Sequence, residues 1–159
     1  MINTNTASSY ITVDDINTLL ALWDTVTQEE YDRLRPLVYP GTNIFLICFP
    51  VTSIHTMDSF NTIRDKWIPE IQLHCPDIPY VLVGTKIDLR GESSDAPFFT
   101  VSAGREIAEK LGALDYFECS SLTQEGLGDT FENAARILLK ERGERRREEG
   151  CLGGWCVIS

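Results

Sequence analysis

The chain has 159 residues, 43% hydrophobic and 24% charged, enough for one domain with its own core, and no apolar run nears the roughly 20 residues that cross a bilayer. Its net charge of -10 argues against general nucleic-acid binding, which needs a basic face to displace counterions from phosphates. Its five cysteines and two histidines show no metal or disulfide spacing, so Cys48, Cys75 and Cys119 are expected as buried, reduced thiols and His55 and His74 as non-ligands.

The opening MINTNTASSY has no basic region followed by an apolar core, so a cytosolic start is expected. LLALW (19–23) and NIFLICF (43–49) read as short, largely buried strands. Phe60, Ile63, Trp67 and Ile71 then recur on one helical face, with a bend or early end expected at Pro69. YVLVG (80–84) is the next strand. A helix follows from about Ala103 to Leu111, capped by Ser102, and then the strand DYFEC (115–119). Leu127, Phe131, Ala134, Ala135 and Leu138 mark a last helix, and ERGERRREEG (141–150) reads as an exposed tail. Alternating strands and helices predict an α/β doubly wound domain, its mostly parallel sheet covered on both faces.

Ligands of such sheets bind at the carboxyl ends of the strands. Three expected strands end in polar clusters there: Asp24-Thr25, Thr85-Lys86-Ile87-Asp88 and Ser120-Ser121-Leu122. An aspartate can accept two hydrogens from adjacent N–H donors of a flat heterocycle, such as the guanine edge. A lysine stem can lie along the base face, and backbone amides near Ser121 can meet the base carbonyl. Past the strand end, extended backbone alternates sides only approximately, letting Lys86 and Asp88 reach one ligand. Taken singly, each cluster also fits an ordinary loop or helix cap.

GTKID resembles the guanine-specificity motif of small GTPases. LWDTVTQEEYDRLRPLVYPGTNIFLICF is similar to the third strand, switch II and fourth strand of the Rho and Rac branch, and the likeness runs through KWIPEIQLHCPDIPYVLVGTKIDLR and ECSSLTQEGL to the terminal CVIS. The resemblance implies a P-loop NTPase-like fold, a partial G domain over 1–142 and a flexible tail over 143–159. It gives nucleotide binding to Asp24, Thr85, Lys86, Asp88, Ser120, Ser121 and Leu122, with Ser121 where an alanine is usual. It gives Asp24 a water-mediated contact to Mg2+, with GTP or GDP as ligand. Gln28 matches the glutamine that orients the attacking water. Tyr31, Arg33, Leu34, Arg35 and Leu37 fall in the switch II surface for regulators and effectors; read without the resemblance, the two arginines are a solvated face and Gln28 an ordinary surface glutamine.

No G-x-x-x-x-G-K-[ST] occurs in the 159 residues, so the phosphate-cradling backbone, lysine and magnesium-binding hydroxyl have no match. The chain is expected to begin near the family's switch I, leaving the sheet incomplete at its N-terminus and the chain marginally stable. Thr27 stands where switch II carries a glycine, and GESSDAPFFT is shorter than the Rho branch's helical insert.

CVIS fits C-a-a-X, so Cys156 is expected to carry a farnesyl group, with palmitoylation of Cys151 as the second anchor. This implies the cytoplasmic face of membranes, chiefly the plasma membrane, after a cytosolic stage. Two functions stay open: a membrane-anchored Rho-type GTPase switch, present as a truncated or variant form, and a non-hydrolysing, lipid-anchored interaction module that keeps the switch II surface.

Overall fold

The computed structural model describes residues 5–52, 56–90, 99–145 and 154–158, with side chains described at 6–52, 58–90 and 99–141. The segment 91–98 and Cys151 lie outside the described residues, as does the side chain of Cys156.

Strands β1 (Asn5–Val13) and β2 (Ile16–Thr25) pair antiparallel around Asp14-Asp15, whose φ values are 49° and 63°. Two left-handed residues match the twist of a tight hairpin, and aspartate tolerates that region better than most residues. β1 is absent from the sequence expectation. The expectation for LLALW as largely buried is also corrected: Leu20 is 5% exposed but Leu19 is 51% exposed. β2 therefore alternates like a strand covered on one face.

Strand β3 (Thr42–Pro50) is followed by a helical stretch of three pieces: α1 (Thr56–Thr62), a π-helical turn (Ile63–Trp67) and α2 (Ile68–His74). Pro69 neither ends nor breaks it. A proline lacks an N–H and crowds the preceding turn, and the wider π turn just before α2 relieves that clash while Pro69 sits in α2's first turn. Strand β4 (Tyr80–Thr85), helix α3 (Val101–Leu111), strand β5 (Tyr116–Glu118) and helix α4 (Leu127–Arg145) complete the alternation. The cap of α3 is Thr100 rather than Ser102: the Thr100 hydroxyl accepts the Ala103 N–H at 3.2 Å.

A sixth strand, β6 (Gly154–Ile158), comes from the chain's last residues. The sheet order is β1-β2-β6-β3-β4-β5, parallel at every pairing except the β1–β2 hairpin. Residues 154–158 of the segment expected as a flexible tail thus form a strand. β6 lies between β2 and β3 and pairs with both, so a short apolar segment joins the hairpin to the rest of the sheet.

Helices cover the two faces of β3. Phe45, Ile47 and Phe49 join Phe60, Ile63, Trp67 and Ile71 in one buried cluster, and Ile44 and Leu46 join Val13, Leu20, Ala134, Ala135 and Leu138 in the other. Near-continuous apolar sequence with both faces buried is what a central parallel strand requires.

Candidate functional site

The carboxyl ends of β2, β3, β4 and β5 form one rim. Immediately after β4, Lys86 adopts a left-handed conformation with φ of 59°, and Ile87–Leu89 follow as one 3-10 turn. This corrects the expectation of extended backbone there. The chain reverses at Lys86, and that reversal carries Asp88 towards the loop after β5.

Ser120, fully buried, meets Asp88 there: its hydroxyl donates to the Asp88 carboxylate and accepts the Thr123 N–H at 3.1 Å. The Ser120 N–H bonds to the Glu125 carbonyl at 2.9 Å, and the Cys119 N–H to the Gly84 carbonyl at 2.8 Å. These bonds lock the two loops together across 32 residues of sequence. The Thr85 hydroxyl donates to the Phe49 carbonyl at 3.1 Å, tying the end of β4 to β3. Lys86, Ser121 and Leu122 are exposed, Leu122 at 80%. Thr85, Lys86, Asp88, Ser120, Ser121 and Leu122 are thus brought together, and an oriented carboxylate beside exposed lysine and leucine side chains suits a flat base with paired N–H donors.

The other half of the rim differs. Asp24 stands near the end of β2, level with Val157 of β6, while Thr85 ends β4. Three strand spacings separate β2 from β4 in the sheet order, roughly 14 Å at ordinary spacing. Gln28 is exposed and belongs to the next segment; its backbone carbonyl accepts from Arg35 at 3.2 Å. Among the described residues no cluster of three or more His, Cys, Asp or Glu side chains is placed to hold a metal ion. The base half of a nucleotide therefore fits this rim, and among the described residues Asp24 and Gln28 stand apart from the base-reading loops.

Cavities follow the same division. One of about 420 Å³ opens between Thr27, Glu29, Asp58, Lys66 and Trp67, and one of about 150 Å³ lies beneath Thr85 and Ser121, lined mainly by Leu46, Val83, Leu127 and Phe131. Neither includes Lys86 or Asp88 in its wall. Burial beside the second cavity, with smaller contributions from Cys119 and Asp24, pushes the Cys48 thiol up to about 12. Cys119 is also raised by burial. Both are poor nucleophiles at neutral pH.

The switch II-like segment is held by Arg35, which is fully buried, correcting its reading as a solvated side chain; Arg33 is exposed. The Arg35 guanidinium donates to the Val26 carbonyl at 2.7 Å, Asp32 at 2.7 Å, and both Glu70 oxygens at 2.8 and 3.2 Å. It lies 4.6 Å from the Trp67 ring centre, and the Tyr39 hydroxyl donates to Glu70 at 2.5 Å. Burial alone would lower the Arg35 pKa, but the bonds and charges of Asp32 and Glu70 outweigh it and hold the value above normal. Arg35 holds Leu34 and Leu37 on a rigid base, exposed at 40% and 69%. Sequence spacing could not reveal this anchor, because Glu70 is 35 residues away.

A family model described as Ras family matches residues 1–140. That span takes in β1 and the hairpin, the switch II-like segment, both base-reading loops and most of α4. Guanine-nucleotide and Mg2+ binding, and contact with regulators and effectors, are general properties of such small GTPase switches. On the matched span and on the parallel sheet with its loops at one rim, the chain belongs to the Ras family.

Proposed function

We propose that the chain is a Rho-branch member that works as a lipid-anchored interaction module, presenting a switch II surface held by the Arg35 network. The observation that carries this reading is the Arg35 network, which ties residues 26–39 to α2. Arg35, Glu70 and Trp67 hold the segment, and Leu34 and Leu37 form the exposed apolar edge of the surface.

Equilibrium titration with a fluorescent guanine nucleotide in Mg2+ tests the reading. The expected result is weak binding or none, with the same switch II hydrogen exchange in GTP, GDP or buffer. Tight, magnesium-dependent binding that reorders switch II would overturn it. A second reading, the nucleotide-cycling switch, is favoured by the Asp88–Ser120 contact, which orients a base-reading carboxylate. On that reading Gln28 positions the attacking water, Asp24 reaches Mg2+ through water, and titration finds tight binding.

The anchor in this proposal is a farnesyl group on Cys156, reinforced by palmitoylation of Cys151, with the protein moving from cytosol to the cytoplasmic face of the plasma membrane. Each buried CH₂ of a prenyl chain contributes about 0.8 kcal/mol, enough for reversible attachment only. Cell fractionation should find Cys156→Ser in the cytosol and Cys151→Ser farnesylated but less firmly held. A Cys156→Ser protein that stays on membranes contradicts the assignment.

A further inference from the structure

We propose that the slot between β2 and β3 is a docking site for the chain's own C-terminal strand, and that docking withholds Cys156 from prenyl transfer. The lipid half of this proposal rests on the reading of Cys156 as a farnesyl acceptor; the docking half stands on the sheet itself.

β6 is paired on both sides. Val157 and Ile158 stand opposite Asp24 and Thr25 of β2, while Gly154, Cys156, Val157 and Ile158 stand opposite Thr42, Phe45, Leu46 and Ile47 of β3. Asn43 and Ile44 together face Trp155, so β3 bulges by one residue against an otherwise regular ladder. Without β6 the sheet splits into a β1–β2 ribbon and a β3–β4–β5 sheet, each with an unpaired inner edge. The most apolar strand of the domain, β3, forms one of those edges, and its Ile44, Phe45, Leu46 and Ile47 are each at most 2% exposed. Such a gap takes one short strand, and GWCVI fills it as a parallel one.

Three of these five residues, Cys156, Val157 and Ile158, belong to the prenylation motif. Prenyl transfer needs an extended, accessible C-terminal tetrapeptide: the Cys156 sulfur forms a bond to C1 of farnesyl diphosphate as the C1–O bond breaks, diphosphate leaves, and the thiol proton passes to solvent. A motif whose Cys156 is paired with β3 and whose Val157 and Ile158 are paired with both β2 and β3 cannot enter a transferase cleft. Docked strand and lipidated tail are therefore mutually exclusive states, and attaching the lipid reopens the slot.

Three measurements on the full chain decide this. Hydrogen exchange read by mass spectrometry should show amides 155–158 protected at least 100-fold over free-peptide rates, in a monomer. Transferase and farnesyl diphosphate should modify the chain at least tenfold more slowly than a peptide of residues 146–159. Trp155→Pro, which places a proline within β6 but outside the motif, should bring the chain's rate to that of the peptide. Free-peptide exchange at 155–158, or chain and peptide modified equally fast, overturns the proposal. Protection that appears only in a dimer places the strand in a second copy and overturns docking within one chain. A peptide that is itself not modified overturns the farnesyl-acceptor reading and leaves the exchange result to judge the docking.

Discussion

Replacing Arg35 with alanine is expected to lower the free energy of unfolding by about 3–5 kcal/mol, the range for breaking a buried ion pair from one side. The truncation strands Glu70, whose side chain is only 14% exposed, and removes donors from the Val26 and Gln28 carbonyls. It also empties the space beside Trp67 that the guanidinium fills. Against a typical total of about 5–15 kcal/mol this is a large fraction, so urea titration should show a much earlier midpoint. Arg35→Lys should rescue little, because an ammonium cannot serve the carbonyls and both Glu70 oxygens with one planar fork. Arg35→Met combined with Glu70→Leu should cost less than Arg35→Ala, since no buried charge is left unpaired. A loss below about 1 kcal/mol for Arg35→Ala would show that the network is not what holds the segment.

The network also has a pH signature. The hydrogen bond from Arg35, followed by that of Lys66, holds the Asp32 carboxyl below its ordinary range. A depressed folded pKa adds stability that is fully present above the unfolded value of about 3.9 and is lost as pH falls through the folded value. Because Asp32 is 39% exposed, solvent screening keeps that contribution small beside the loss of Glu70's partner.

What sequence alone could reveal follows from the range of the forces involved. NIFLICF and YVLVG are continuous apolar runs because β3 and β4 are buried on both faces, and period and composition carry that signal locally. TKID and the paired serines are legible because motif chemistry is compact, and the structure joins Asp88 to Ser120. β1 escaped because NTASSYITV is largely small and polar; its visible clue is the Asp14-Asp15 pair between two β-branched stretches. The π turn before Pro69 and the burial of Arg35 depend on partners distant in sequence. The resemblance implies an incomplete sheet, but nothing local in Gly154–Ile158 says that this segment pairs between β2 and β3, so it reads only as part of a tail.

Gly104→Ala should destabilise the domain by about 1–3 kcal/mol or more, the cost of overpacking a filled core. Local propensity points the other way, since alanine in a helix interior is favoured over glycine by about 1 kcal/mol. Packing decides the sign. A Cβ on Gly104 would lie 2.2, 2.4 and 2.7 Å from three carbons of the Tyr116 ring, distances that real Cβ contacts do not reach. That ring cannot retreat: it is 3% exposed, stacks on Phe49 at 6.1 Å, and meets Phe99 edge-on at 6.4 Å. Its hydroxyl donates to Glu118 at 2.7 Å and sits where a Cβ on Gly84 would fall, 2.3 Å away, so β4 blocks the ring's other side. Burial, then Glu118, raises the phenol's pKa, so this contact persists at any ordinary pH. Pairing Gly104→Ala with Tyr116→Leu removes the obstacle, and the two changes together should cost at least about 1 kcal/mol less than the sum of their separate effects, as expected for residues in direct contact. Thermal melts of the two single variants and the double variant measure that coupling. A Gly104→Ala protein that melts higher than the parent would mean that α3 slides outward at little cost, and that Tyr116 does not fix its distance from the sheet.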